Sequence, residues 1–106
     1  MNVLLCGDPD SPFLPEGADV VVHKGDVRLL SYGCTFDGII AHKIGDADLQ
    51  RILGSFFAHT KLGSLLFVSS ENNPERLEVL IKQSGFRTVE RWSKDACVGF
   101  LARRDI

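Results

Sequence analysis

The sequence has little of what marks several common classes of protein. Its three cysteines, Cys6, Cys34 and Cys97, are odd in number and widely spaced, so neither a disulfide framework nor a metal site is expected. Twelve basic and fourteen acidic residues give a net charge of −2 without a basic stripe, which argues against nucleic acid as a partner. No apolar run approaches the ~20 residues of a membrane-spanning helix. These features favour a protein of the reducing cytoplasm that contacts neither nucleic acid nor membrane.

The length and apolar content of the chain predict a single folded domain over residues 1–106. A chain of 106 residues with 44% hydrophobic residues is large enough to build one core without metals or disulfides. The N-terminus opens directly into the apolar run Val3–Cys6 with no basic segment before it, so it does not resemble a signal peptide.

The front part of the chain predicts three strands and little helix. Three short apolar runs, Val3–Cys6, Val20–Val22 and Phe36–Ala41, are typical of strands. Three prolines stand between the first two runs and exclude a regular helix there. The segment Asp26–Ser31 predicts one or two helical turns with Asp26 as the N-cap.

A longer helix is predicted from Asp46 to Leu62. Apolar residues recur there at i, i+3, i+4, i+7 and i+8, which is the pattern of one buried helical face. Asp46 is a suitable N-cap, and Gly63 is a suitable left-handed residue after the last turn. Gly54 inside the helix costs about 1 kcal/mol relative to alanine, which suggests that close packing requires it.

The back part of the chain predicts a strand, a helix and a hairpin. The strand Leu65–Val68 precedes a helix that Asn73 caps and Gly85 ends. The runs Arg87–Trp92 and Ala96–Ala102 then predict two antiparallel strands joined by a tight turn. Strands alternating with helices predict an α/β domain with a mostly parallel sheet.

Three segments together resemble class I S-adenosylmethionine (SAM) methyltransferases. The segments are Phe36–Ile40, Lys61–Val68 and Ser84–Val89, which are similar to the family's "FD-hydrophobic" strand, its "L-K-P-G-G" passage into the next strand and its "G-F-x-x-V" entry to the final hairpin. The resemblance covers about two thirds of the chain. It implies a truncated Rossmann-like fold whose mostly parallel sheet ends in a C-terminal antiparallel hairpin.

The segment where this family holds its cofactor departs from the family pattern. Gly7 matches one glycine of the cofactor loop, but Pro9 and Pro12 remove backbone donors, and Asp8 brings negative charge to the place of the cofactor's carboxylate. If SAM binds at all, the resemblance points to Gly7, Asp8 and Asp26 as the lining residues. We expect no catalytic residue and no bound cofactor in this domain.

A second resemblance, to the anamorsin family, accounts for the same departure. The segment Asp26–Ser31 followed by Phe36–Ile40 is similar to the "N-I-x-x-L-L" and "F-D-I-I" pair of that family's N-terminal domain, a truncated methyltransferase lacking the SAM loop. The resemblance implies a non-catalytic docking domain in cytosolic iron–sulfur cluster assembly, with a diflavin reductase as partner. It further implies that the clusters lie on a separate, cysteine-rich C-terminal region. This chain would then be the N-terminal part of a longer protein.

Other possibilities stay open at the level of sequence. The chain could be a minimal SAM-dependent methyltransferase, or an inactive subunit of a heteromeric methyltransferase. His42 follows the third strand, at the edge where open α/β sheets bind ligands, although a solvated loop there is the commoner outcome. Ser69 lacks the sequence context of an activated nucleophile. The three histidines have no paired spacing for zinc, so no metal ligand is predicted.

Overall fold

The chain forms one six-stranded sheet with helices packed against it. The computed structural model describes residues 1–7, 16–45, 48–70, 73–94 and 96–106. In chain order the elements are β1 Asn2–Gly7, β2 Asp19–Val22, a 3₁₀ turn Val27–Leu29, β3 Phe36–His42, α1 Leu49–Ala58, β4 Thr60–Ser70, α2 Pro74–Gln83, β5 Phe86–Lys94 and β6 Cys97–Arg104.

The strand order confirms the predicted architecture. The sheet reads β2-β1-β3-β4-β6-β5. Strands β1 to β4 pair in parallel, whereas β6 runs antiparallel to both β4 and β5. The fold is therefore a Rossmann-like α/β fold with a mostly parallel sheet and a C-terminal antiparallel hairpin.

Both described α-helices bury their apolar stripes against the same face of the sheet. The stripes form one cluster with the side chains of that face, among them Phe36, Leu66 and Phe100. The members contributed by the helices are Leu49, Ile52, Leu53, Phe56, Leu77, Leu80 and Ile81. Neither helix is long and apolar enough to span a membrane.

The opposite face of the sheet carries a second, smaller apolar cluster. Val3, Leu5, Ile40 and Phe67 are buried there, with Trp92 packed beside them. No side chain from the two α-helices of the described ranges belongs to this cluster. Among the described residues, the α-helices therefore cover one face of the sheet and not the other.

The end of the first helix differs from the sequence prediction. α1 ends at Ala58 rather than Leu62, and Gly63, with φ +89°, lies inside β4 rather than after a helix. The physical reason is pairing: Phe36 donates its N–H to the His59 carbonyl at 2.8 Å, and Thr60 is the register partner of Phe36. Tertiary pairing with β3 therefore overrides the helical propensity of residues 59–62.

Two further sequence predictions concern the N-cap of α1 and the packing around Gly54. Asp46 lies outside the described residues. Asp48 precedes the helix in a left-handed conformation with φ 55° and forms no capping hydrogen bond through its side chain. The close-packing interpretation of Gly54 was wrong, because Gly54 is exposed and a Cβ placed there meets no atom within 4 Å.

The second helix matches the prediction at both ends. Asn73 accepts a hydrogen bond from the Arg76 N–H at 3.1 Å through Oδ1, and Pro74 occupies the first turn, where its missing N–H costs nothing. Gly85, with φ +103°, follows the last turn and leads into β5. A Cβ at Gly85 would lie 2.5 Å from the Phe57 ring, so glycine is required there for contact as well as conformation.

Candidate functional site at the carboxyl edge

The carboxyl ends of the parallel strands are where a ligand is expected in this fold. The chain passes from β1 to β2 on one side and then returns to β3 on the other side of β1. The switch point therefore lies between β1 and β3, and ligands of open α/β sheets bind outside such a point. Gly7 and His42 end these two strands and are register partners.

Gly7 is engaged in packing the two strand ends together. Its φ is +75°, and a Cβ there would lie only 2.4 Å from the His42 carbonyl oxygen. The glycine is therefore required for the close approach of β1 to β3, independently of any ligand. Asp8, the next predicted site residue, lies outside the described residues.

His42 and Ser69 form a buried polar pair beside this point. His42 Nδ1 lies 2.7 Å from Ser69 Oγ, which also accepts a hydrogen bond from the Lys43 N–H at 2.8 Å. Rings of Trp92 and Phe67 pack against the imidazole at centroid distances of 5.6 and 6.0 Å. The sequence analysis did not pair these two residues, although both stand at the carboxyl ends of adjacent strands.

Burial decides what the His42–Ser69 pair can do. A serine within hydrogen-bonding distance of histidine is the arrangement of an activated nucleophile. Ser69 is 0% exposed and His42 4% exposed, so no substrate carbonyl or methyl group reaches the hydroxyl in this conformation. The pair instead joins the ends of β3 and β4.

Asp26 lies in the loop after β2, and its carboxylate is bound by Arg28. Asp26 Oδ1 accepts from the Arg28 N–H at 2.9 Å, which caps the 3₁₀ turn as predicted. The guanidinium donates to both carboxylate oxygens, at 3.0 Å from Nε and 2.6 Å from the second nitrogen. These hydrogen bonds from Arg28 lower the pKa of Asp26 to about 2. A second carboxylate, Asp48, approaches the same guanidinium at 3.3 Å.

A chain of hydrogen bonds links this loop to the end of α1. His23 Nε2 donates to the Asp26 carbonyl at 3.0 Å, and His23 Nδ1 lies 2.9 Å from the Tyr32 hydroxyl, within hydrogen-bonding distance. The Tyr32 N–H donates to His59 Nε2 at 2.9 Å, and His59 Nδ1 donates to the Ser55 carbonyl at 2.7 Å. For His59 both partners are backbone groups, an N–H that can only donate and a carbonyl that can only accept, so Nε2 accepts and Nδ1 carries the proton. The network orders the loop between β2 and β3.

The cysteines show no sign of a metal or redox centre. Cys6 and Cys97 are buried and Cys34 is exposed, all as free thiols. Burial raises the pKa of Cys6 to about 12, which keeps the thiol protonated and unreactive. The described residues contain no group of three histidine, cysteine or carboxylate side chains able to hold a metal ion.

Comparison with solved structures supports the fold. The chain is similar to the N-methyltransferase NodS from Bradyrhizobium japonicum with S-adenosyl-L-homocysteine, with a TM-score of 0.67, 14% identity, and coverage of 81% of this chain and 55% of that one. It is also similar to 1,6-didemethyltoxoflavin-N1-methyltransferase from Burkholderia thailandensis, with a TM-score of 0.71, 14% identity, and coverage of 99% and 71%. This chain therefore spans little more than half of NodS.

The comparisons establish the fold alone. No family model and no curated protein sequence matches the chain. The [4+2]-cyclase SpnF is a further structural neighbour, with a TM-score of 0.65, 13% identity, and coverage of 83% of this chain and 57% of that one. Neighbours named as methyltransferases and as a cyclase share this architecture, so function must be argued from the residues of the site.

Proposed function

We propose that this chain is a non-catalytic, methyltransferase-like protein-docking domain. The observation that carries the proposal is the engagement of the two described candidate ligand residues. Both carboxylate oxygens of Asp26 are bound by Arg28, and Gly7 is packed against the His42 carbonyl oxygen. A cofactor would have to displace a bidentate ion pair to reach Asp26, and charge-assisted pairs of this geometry are the stronger hydrogen bonds of proteins.

The connection from β2 to β3 also supports the proposal of a non-catalytic docking domain. Residues 23–35 contain only the 3₁₀ turn Val27–Leu29, which is too short to direct a helix N-terminus at a ligand. A fold without a helix N-terminus at this position still has its sheet and its outer surface. A docking domain needs only that surface to bind a protein partner.

An apolar crevice on the second sheet face offers a contact point for a partner. It lies near the amino ends of β1 and β3 and has a volume of about 130 Å³. Small-molecule sites usually have volumes of roughly 300 to 1,000 Å³, so this crevice suits one apolar side chain rather than a nucleoside. Single anchors in such pockets often dominate protein interfaces. The lining residues are Met1, Val3, Gly38, Ile39, Ile40, Leu65, Phe67 and Leu101.

The finer proposal is an anamorsin-type role in cytosolic iron–sulfur cluster assembly. It is supported by the sequence resemblance of Asp26–Ser31 and Phe36–Ile40, and by the position of the 3₁₀ turn between β2 and β3. In this role the partner is a diflavin reductase, and the clusters are carried outside this domain.

Binding to a purified cytosolic diflavin reductase tests the docking proposal. We expect saturable binding by biolayer interferometry, weakened by Gly38→Val. A Cβ at Gly38 makes only ordinary contacts, at 3.7 Å to Val3 and 3.8 Å to the Leu65 carbonyl, and a urea midpoint close to that of the wild type would show that the valine variant keeps the fold. A loss of roughly tenfold, about 1.4 kcal/mol, is expected.

The matched control is Gly54→Ala, which adds a methyl group to an exposed helical position away from the crevice. It should bind the reductase as the wild type does. Failure of the wild-type chain to bind the reductase would refute the anamorsin-type role. Equal binding by the wild type and Gly38→Val would remove the crevice from the docking surface.

The second candidate function is that of a minimal SAM-dependent methyltransferase, which the similarity of the fold to solved methyltransferases supports. Two structural neighbours were solved with S-adenosylhomocysteine, and Gly7 ends β1 at the switch point where ligands of this fold bind. Thermal denaturation separates the candidates, because a ligand at 100 times its Kd stabilises a protein by about 2.7 kcal/mol. A raised melting temperature in millimolar SAM supports the enzyme. Co-purification with an active methyltransferase would instead support an inactive subunit of a heteromeric enzyme.

A further inference from the structure

The β2 edge, Asp19–Val22, is an edge strand that pairs with β1 on one side and with no other described strand on the other side. β2 stands at one end of the strand order, and its three valines, Val20, Val21 and Val22, are 39%, 40% and 53% exposed. Natural edge strands are usually kept very short or shielded by charged residues, especially lysine, by proline or by a bulge. The β2 edge is short and includes the charged residue Asp19, but it has no lysine or proline, and its register with β1 is continuous. The fold thus presents β-branched side chains on both faces of an open edge.

The backbone groups that point away from β1 can be assigned. Asp19 and His23 donate their N–H groups to the carbonyls of Met1 and Leu5, at 2.9 Å in each case. Backbone direction alternates along a strand, so Val21 also faces β1. Val20 and Val22 therefore direct their N–H and C=O groups outward, where a further strand would bind.

We propose that the β2 edge pairs with the β2 edge of a second copy of this chain, antiparallel and about a two-fold axis at Val21. In this register Val20 lies opposite Val22 of the second copy. Both are outward-facing residues, so each such pair exchanges two N–H to C=O hydrogen bonds, and the two-fold axis generates four in all. The two Val21 side chains meet at the axis as a non-hydrogen-bonded pair, in which side chains lie closest.

Charge selects the second copy and the antiparallel direction. Asp19 begins the β2 edge, whereas His23 and Lys24 follow it. Antiparallel pairing about Val21 places Asp19 of each copy opposite His23 and next to Lys24 of the other, so Asp19 and Lys24 bring opposite charges together at both ends. Parallel pairing would place like residues together. Self-complementarity of this kind is what an isologous interface requires.

The dimer should be weak and should dissociate on dilution. Stable interfaces bury roughly 1,200 to 2,000 Å² in total, which is more than two four-residue strands provide by themselves. The inference does not rest on the proposed function, because an edge can pair in a docking domain or in an enzyme.

Sedimentation velocity over a range of concentrations, with matched lysine variants, tests the pairing. Val22→Lys should weaken dimerisation roughly tenfold or more, because two charged side chains enter the interface. Val89→Lys is the control: Val89 is 54% exposed on β5, the strand at the opposite edge of the sheet. It should leave dimerisation unchanged. A monomer at all concentrations, or a dimer sensitive only at Val89, would overturn the proposal.

Amide hydrogen exchange in the wild-type chain provides a test that needs no variant. The Val20 and Val22 amides should exchange more slowly as protein concentration rises, whereas the Val21 amide, already bonded to β1, should not respond. Exchange at Val20 and Val22 that is independent of concentration would refute the second copy as occupant. Slowing only when another protein is added would refute it equally and would assign the edge to that protein.

Discussion

At the scale of single residues, the site is governed by what each side chain already contacts. Sequence patterns identified Gly7 and Asp26 as positions of interest, because glycine and acidic residues near strand ends are readable signals. They did not reveal that Arg28 holds both oxygens of Asp26, or that His42 reaches Ser69 across the sheet. Such pairings depend on strand register and side-chain direction, and neither can be inferred from the patterns of a single sequence.

Replacing Gly7 tests whether its role is structural. Gly7→Ala should destabilise the chain by about 3 kcal/mol, because positive φ costs about 1–2 kcal/mol and the overlap with the His42 carbonyl forces a backbone shift of similar cost. Gly17→Ala is the matched control, with φ +76° and open space around its Cβ, and should lose only about 1 kcal/mol. Urea unfolding measures both changes. Equal losses would mean that the contact with β3 is unimportant.

The Asp26–Arg28 pair makes a prediction about pH. The pKa of Asp26 is lowered from 3.8 to about 2, so unfolding raises its proton affinity. Its contribution to stability is therefore complete above about pH 4 and is lost as the pH falls towards 2. The gap in urea midpoint between wild type and Asp26→Asn should shrink over that window. In an Arg28→Gln background the gap should no longer depend on pH in this way, and a gap that persists there unchanged would contradict the assigned cause.

At the scale of elements, the strands and the second helix were predictable and the end of the first helix was not. α2 carries its own signals, since Asn73 caps it and Gly85 follows it in a left-handed conformation. The boundary of α1 is set by pairing of Thr60 with Phe36, a contact between residues far apart in sequence. Gly63 was predicted to follow the last turn of this helix, but it lies within β4. Local signals fail where a distant strand determines the conformation.

Replacing the exposed glycine of α1 by alanine should change the stability of the chain in the opposite direction from Gly7→Ala. Gly54→Ala should stabilise the chain by about 1 kcal/mol, because alanine has the higher helix propensity and its Cβ would meet no atom within 4 Å. Gly63→Ala is a useful contrast, because open space also surrounds Gly63 but its φ is +89°. It should destabilise. Urea unfolding that shows Gly54→Ala to be destabilising would restore a packing role for that glycine.

At the scale of the whole molecule, the described part of the chain combines a methyltransferase-like sheet with two α-helices. The mostly parallel sheet and the C-terminal antiparallel hairpin are those implied by the resemblance of three short sequence segments, whose order along the chain carried more information than any one of them. The sheet is covered by both described α-helices on one face, and the carboxyl edge is occupied by hydrogen bonds within the chain. The molecule therefore keeps the six-stranded sheet and exposes the edge strand β2.

Titration of the amide NMR spectrum with SAM most directly tests whether the carboxyl edge still holds this cofactor. With millimolar SAM, the resonances of Gly7, His23 and His42 should remain unmoved, because Gly7 is closely packed against the end of β3 and the two imidazoles are hydrogen-bonded within the chain. Saturable shifts centred on Gly7, together with release of Asp26 from Arg28, would contradict a non-catalytic docking domain and establish a cofactor site.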